Sequence, residues 1–483
     1  MHAHDAFDAV VVGGGPNGLA AAITLARAGR SVQLIEAEAT VGGGCRSAEL
    51  TLPGFVHDVC SAVYPLGAGS PFFAQLPLDR HGLRWIEPEV QLAHPLDDGA
   101  AILVRDLPAT AARLGPDAGA YLRLVGPAVG DWDVIIGQLV GPFRIPLDPR
   151  TLLAGVRFGV SGIRSVMSLA RRFRTPQARA LLAGCGAHSM LRMSEPLTGA
   201  FGLMFLASAH AVGWPIAAGG AQRLVDALAA HLIELGGEIV TGRRVTSLEA
   251  LPPHRALLLD LAPRRVIDLA GERLHRRLGG GWYLRQLRRF RYGPAAFKLD
   301  LALDGPIPWR DPDVLRAGTV HVGGTLEEIA AAEAAVADGG IPDRPFVLVA
   351  QQSLFDPARA PEGGHTVWAY CHVPNGSTVD VTDRILGQIE RFAPGFRDRI
   401  LAVSKRAPAD FERYDANFIG GDIGGGRPDI GQLFTRPAWR PDPYRTPDRA
   451  ILLCSSSTPP GPGVHGLCGW YAAQSALRSV LRA

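Results

Sequence analysis

Three glycines and a glutamate carry the clearest chemistry in this chain. Gly13, Gly15 and Gly18 follow the apolar run Asp8-Ala9-Val10-Val11-Val12, and Glu36 closes the next one, Ser31-Val32-Gln33-Leu34-Ile35. Strand, glycine turn, helix, strand and acid in that order are what dinucleotide binding requires. Gly13 allows the tight turn, Gly15 lets the backbone approach a pyrophosphate, and Gly18 lets the helix lie close to the strand. The helix start offers N–H groups and a positive dipole end to the phosphates, and Glu36 is placed to accept hydrogen bonds from a ribose diol. With 58 glycines among 483 residues, GxGxxG alone would say little. The two strands and the acid make the spacing specific.

Two further glycine segments bear on which dinucleotide is held. Thr40-Val41-Gly42-Gly43-Gly44-Cys45-Arg46-Ser47 comes just after the ribose acid and suits a backbone running along the diphosphate of FAD, while Glu36 disfavours the 2′-phosphate of NADP. Near the other end, Leu452 to Gly466 reads as a strand and a Pro/Gly loop, followed by an apolar helix to Leu481. In a flavoprotein such a helix start faces the flavin N1–C2=O edge, where negative charge collects on reduction. A second GxGxxG with its own strand and helix is missing. Gly420–Gly426 has no helical pattern after it, so no dedicated NAD(P)H domain is expected.

The elements that must position these residues imply an α/β fold: a Rossmann-like FAD-binding domain with a discontinuous substrate domain made of an antiparallel sheet and a helical cap. Residues 1–82 are its first FAD-binding part. Residues 83–107 read as a hairpin, Leu83–Ile86 and Ala101–Val104 flanking a turn at Pro95–Gly99. Residues 108–212 have helical spacing throughout and form the cap. Residues 213–289 return to the FAD domain and 290–412 form the substrate domain. Its expected strands are Ala295–Leu303, Thr319–Val322, Phe346–Gln351 and Thr366–His372. Residues 413–483 complete the FAD domain.

The N-terminal fingerprint, the Val41–Ser47 run and the Cys454–Gly469 segment resemble the phytoene desaturase-like flavoproteins, beside the amine oxidases in a larger FAD superfamily. Gly54–Ser61, Gly213-Trp214-Pro215, Thr325–Ile329, Tyr370–Gly376 and Gly420–Gly426 resemble a bacterial subgroup of phytoene dehydrogenase-like oxidoreductases, so the likeness spans nearly the whole chain. It departs at Pro462, where glycine is usual, and at Trp470-Tyr471, where Tyr-Asn is usual. The resemblance implies a cofactor-binding set of Gly13, Gly15, Pro16, Asn17, Gly18, Glu36, Ala37, Gly43, Gly44, Cys45, Arg46, Ser61, Val245, Asp422, Ser455, Ser456, Gly463, Val464, His465 and Gly466. Within it, the Val245 backbone would hold the adenine. It also implies dehydrogenation of an apolar substrate (a polyene, terpenoid or acyl chain): hydride goes to flavin N5, a proton leaves the neighbouring carbon, and oxygen or a quinone reoxidises the flavin.

For acid/base work the resemblance puts His465 nearest the flavin. Asp58 and Tyr64 follow the first glycine clusters and are the other catalytic candidates. His57, His188, His210 and His372 are further titratable groups, and Asp422 suits a cofactor-facing glycine loop. A site that only transfers hydride needs no base at all. Three other readings stay open: an oxidase of amines or small metabolites, with Trp470 and Tyr471 as an aromatic cage; an FAD-dependent isomerase; and a non-enzymatic lipid-binding escort protein.

Composition narrows the classes. A net charge of +3 is too small to argue for nucleic acid. Six cysteines without a CxxC pair argue against a disulfide reductase, a metal site and a secreted scaffold. Met1–Asp5 has no signal-peptide character, so a cytoplasmic location is expected. Pro196–Gln222 carries no charge but is broken by glycine and proline, and reads as helix and turn lining a greasy cavity. Residues 264–291 interleave arginines with Leu, Trp and Tyr. This is either a solvated helix face with its apolar side packed inward or a peripheral contact with an anionic membrane. No feature specifies an oligomer.

Overall fold

The computed structural model describes residues 6–139, 141–142 and 148–482. Met1–Asp5 and residues 140 and 143–147 of the expected cap lie outside them. A five-stranded parallel sheet is ordered Ile451–Leu453, His254–Leu259, Phe7–Val12, Val32–Ile35, Glu238–Val240. Both faces of its centre are covered, so its strands are continuous apolar runs such as Val10–Val12 and Leu257–Leu259. Ala9 sits opposite Ala256 on one side and Val32 on the other.

On one face, the helices Pro16–Arg27, Gln222–Glu234 and Leu467–Leu477 bury Leu19, Ile23, Leu224, Leu228 and Leu467 against the sheet. The first and last of these helices cross very closely: a Cβ on Gly469 would lie 1.8 Å from the Asn17 carbonyl oxygen. On the other face, Pro263–His275 and Gly280–Arg289 bury Val266, Ala270, Leu274, Tyr283, Leu284 and Leu287. The arginine-rich segment therefore spends its apolar side on the sheet. Arg273 and Arg277 both donate to Asp448 at 2.9 Å, leaving Leu278 and Trp282 exposed. No described helix is long and apolar enough to cross a membrane.

A seven-stranded sheet builds the second layer, in the order Ile400–Arg406, Ala295–Leu303, His365–Val373, Val347–Ala350, Ala317–Val322, Val90–Leu96, Gly99–Val104. Only Ala317–Val322 against Val90–Leu96 is parallel. The hairpin differs from expectation: Gly99–Val104 pairs with Val90–Leu96, while Trp85–Ile86 pairs with Ile216–Ala217 in a separate ribbon. Residues 107–211 are helical in the described part, including Leu107–Arg113, Ala118–Gly130, Pro149–Gly162, Pro176–Ala187 and Thr198–Ala211. Side chains of Asp106, Asp148 and Thr175 accept from the first-turn N–H groups of three of them, satisfying donors the helices cannot. These helices lie over the sheet and enclose a chamber.

Candidate active site

The cleft begins at the carboxyl ends of the parallel strands, where open α/β sheets bind ligands. Gly13 has φ +104°, in the left-handed region that favours glycine, and a Cβ on Gly18 would sit 1.9 Å from the Gly13 carbonyl oxygen. Gly15 caps the helix Pro16–Arg27 without a side-chain hydrogen bond, and no acidic residue occupies its first turn. Glu36 accepts from the Gly14 N–H at 2.7 Å and the Glu38 N–H at 2.8 Å, and faces Arg46 at 3.4 Å. Around this end lie Pro16, Asn17, Ala37, Gly43, Gly44, Cys45, Arg46, Ser61 and Val245. Asn17 Oδ1 and Arg46 Nε are buried there without a hydrogen-bond partner. Unanswered polar atoms on a glycine-lined wall fit a polar cofactor laid along it, and Arg243 and Arg244 add positive charge to the rim. The residues present fit FAD. The Cys45 thiol is pushed up to about 12 by burial and stays neutral.

The closing segment brings Ser455, Ser456, Gly463 and Val464 to the same cleft. His465 and Gly466 do not line it. His465 is buried, and its Nδ1 accepts from the Leu467 N–H at 3.0 Å, which caps the last helix. Its carbonyl accepts from Ser70, and burial pushes its pKa down to about 4. Where the resemblance expected a group at the reacting centre, the structure holds a neutral loop histidine. Asp422 also stays behind the wall. Its carboxylate accepts from Gly293, Gly424 and Gly426 N–H groups at 2.7–2.8 Å and so shapes the loop that presents Ile423 and Gly425. Gly18 acts behind the wall as well, through its contact with Gly13.

Asp58 differs most from its expected role. It is fully buried away from the cleft and takes two hydrogen bonds from Arg359, at 3.1 and 3.2 Å. It also accepts from Ser47 and from the Ala221 N–H, each at 2.7 Å. Because Arg359 follows the substrate-sheet strand Val347–Ala350, this pair ties that domain to the dinucleotide domain. Tyr64 does line the cleft. Its hydroxyl donates to the Ser61 carbonyl at 2.9 Å, and burial holds the phenol well above its usual pKa. Trp470 and Tyr471 do not line the cleft: Trp470 packs on Phe72, and Tyr471 stacks on Tyr444.

The cleft is continuous with the chamber, and the whole cavity holds about 400 Å³. The inner end is apolar and aromatic, with Ala62, Leu66, Phe205, Trp214, Leu348, Trp368, Tyr370, Phe418 and Ile423 on its walls. Pro196–Gln222 supplies Phe205 and Trp214. Among the other histidines, His188 lines the chamber, His57 lies beside Asp300, His210 bonds Tyr121, and His372 bonds Glu333.

Two carboxylates at the dinucleotide end have no counterpart in the sequence-based set. Asp260 directly follows the strand His254–Leu259 and accepts from the Gly18 N–H at 2.9 Å. Burial, then the charges of Asp415 and Glu36, push its pKa up to about 8. Asp415 is raised too, chiefly by burial. An acid at the end of the apolar run Ala256–Leu259 was a readable signal for Asp260. Asp415 carries none, since its place depends on the fold.

Fold and cleft define a Rossmann-type dinucleotide-binding protein of mixed α/β architecture. The model of the NAD(P)-binding Rossmann-like domain matches residues 11–76. The chain is 25% identical to rat pyridine nucleotide-disulfide oxidoreductase domain-containing protein 2, over 98% of this chain and 94% of the relative. A solved oxidoreductase from Methanosarcina mazei superposes with a TM-score of 0.65 at 16% identity, covering 98% of this chain and 100% of that one. Cyclohexylamine oxidase from Brevibacterium oxydans superposes at 0.58 and 13% identity, covering 99% of each. The fold is thus shared with amine oxidases.

Proposed function

We propose that this chain is an FAD-dependent oxidoreductase that removes hydride from one carbon of an apolar substrate while a proton leaves the neighbouring carbon to solvent, giving a new double bond. The observation that carries the reading is the continuity of one cleft: a glycine-lined, dinucleotide-type wall runs directly into a chamber of aromatic and aliphatic side chains. Bound FAD would supply the hydride acceptor, N5 of its isoalloxazine, and oxygen or a quinone would take the electrons onward. The chain's own residues do the rest. Glu36 and the Val245 backbone hold the adenosine end, and Gly13–Asn17 receives the diphosphate. The Ser455–Val464 loop, leading to the helix Leu467–Leu477, faces the ring system. Phe205, Trp214, Leu348, Trp368 and Tyr370 exclude water and orient an apolar chain by shape.

The visible spectrum of the purified protein tests the cofactor. Flavin bands that survive desalting are expected, and a colourless protein that takes up no added FAD overturns the reading. Anaerobic titration with lipid-soluble compounds tests the substrate class. Bleaching is expected. Hydrogen peroxide release with small amines, and no bleaching by any apolar compound, would replace it with an amine oxidase.

A further inference from the structure

The chamber's inner wall carries polar atoms that the fold leaves unanswered. On the strand Ala317–Val322, Val320 and Val322 enter the core, while Thr319 and His321 face the helical layer. Thr319 Oγ1 and His321 Nδ1 are buried without a hydrogen-bond partner, and Thr319 lines the cavity beside an otherwise apolar surface. His188, at the end of the helix Pro176–Ala187, lines the same cavity, with its Nε2 3.0 Å from His321 Nε2. Buried polar groups in folded proteins nearly always have partners, and Thr319 Oγ1, left open on the cavity wall beside His188, points to a ligand that supplies one.

Hydrogen-bond bookkeeping sets the sense of this wall. The Gly324 carbonyl can only accept, so His94 donates to it through Nε2 at 2.7 Å and keeps a bare Nδ1. A Cβ on Gly184 would lie 2.5 Å from His321 Nδ1 and 3.2 Å from His94 Nδ1, so both nitrogens face one point. The contact between His188 Nε2 and His321 Nε2 takes one proton, which either ring can carry. With that proton on His188, its Nδ1 is a lone pair that a hydroxyl can donate to; with it on His321, His188 Nδ1 carries a hydrogen. Burial keeps the rings neutral, holding His188 down to about 3, His94 down to about 4 and His321 well below its usual value. Neutral imidazoles in an apolar chamber favour a neutral partner over an ion.

We propose that this wall binds an alcohol group of an otherwise apolar substrate, the hydroxyl donating to His188 Nδ1 and accepting from Thr319 Oγ1. The inference rests on the apolar-substrate reading above and specifies the substrate as a hydroxylated one. Aromatic neighbours fix the acceptor: the His188 ring packs 4.4 Å from Phe205 and 5.9 Å from Trp214, centroid to centroid.

The test uses octan-1-ol, its methyl ether and octane as probes, with binding to the purified protein followed by tryptophan fluorescence, since Trp214 and Trp368 border the chamber. The ether can accept but not donate. The alcohol is expected to bind about tenfold more tightly than the ether, as one well-made hydrogen bond to a buried acceptor allows. His188→Phe keeps an aromatic ring and should abolish that preference. Thr319→Val, close in shape and gentler on the fold, should weaken alcohol and ether alike by severalfold and leave octane unchanged, because both oxygens accept from Thr319. Equal binding of alcohol, ether and octane to the wild type overturns the hydroxyl site but leaves the apolar chamber standing. Failure of all three to bind overturns both. An alcohol preference that survives His188→Phe, or ether binding that Thr319→Val leaves unchanged, overturns the assignment to these residues.

Discussion

Replacing Asp58 with asparagine separates a structural from a catalytic carboxylate. The asparagine carbonyl keeps Oδ1 in place for Ser47, Ala221 and Arg359 Nη1, but its amide nitrogen meets Arg359 Nη2, a donor facing a donor at 3.2 Å. Arg359 keeps its bond to Asp356 at 3.0 Å and loses its main counter-charge in a fully buried site. Removing one partner of a buried pair costs about 3–5 kcal/mol, and the retained Asp356 places this change near the lower end, at about 3 kcal/mol. An unfolding entropy of about 2.1 cal/mol/K per residue gives a chain this long about 1 kcal/mol/K, so Tm should fall by about 3 °C. Arg359→Met should cost a similar amount. The double variant should cost about 2 kcal/mol less than the sum, because it leaves no unpaired guanidinium. Thermal unfolding by circular dichroism at matched FAD content reads all four corners of the cycle. A wild-type Tm for Asp58→Asn combined with loss of flavin reduction would refute the reasoning and return Asp58 to the reacting centre.

Gly15→Asp places a carboxylate where a Cβ already lies 3.1 Å from Asp260 Oδ2, so the desalted variant should be colourless; retained flavin bands would mean that the diphosphate lies elsewhere. His465→Ala removes the acceptor for Leu467 N–H and should cost about 1 kcal/mol, as other lost helix caps do, while FAD content stays at the wild-type level; loss of flavin without loss of stability would contradict this. Asp260 has a folded pKa raised from 3.8 to about 8, so the folded protein holds the extra proton between those values and loses stability as pH rises through that window. In FAD-free protein, Asp260→Asn should gain Tm over wild type progressively from pH 5 to 8.5, and a pH-independent difference would refute the shift.

What the sequence revealed was local. Gly13, Gly15, Gly18 and Glu36 were legible because one turn and two short strands fix their relations within 30 residues. Strands such as Ala295–Leu303 were legible from alternation, with Phe297, Leu299 and Leu301 interleaved with Lys298 and Asp300. Asp58 was misread because its partner Arg359 lies 301 residues away, and a buried carboxylate and a catalytic one look alike until that partner is known. The hairpin's turn and second strand were legible, but its first strand is Val90–Leu96 and not Leu83–Ile86, because Pro95 sits inside the strand, opposite Ala100. The arginine-rich helices showed their amphipathic period, but which surface would cover the apolar side depends on the sheet. His188 and Thr319 reach the chamber from two separate elements, and nothing in the chain order announces their meeting.

The close crossing of Asn17 and Gly469 has a consequence for biosynthesis. The helix Pro16–Arg27 is walled by a helix some 450 positions later, and the sheet's outer strand, Ile451–Leu453, also comes late. During translation the first βαβ unit must wait, with one flank bare, until residues some 450 positions later have left the ribosome. Pairings of such sequence separation are slow to form and expose apolar surface meanwhile. The first βαβ unit is therefore open to misassociation for longer than its own sequence would require.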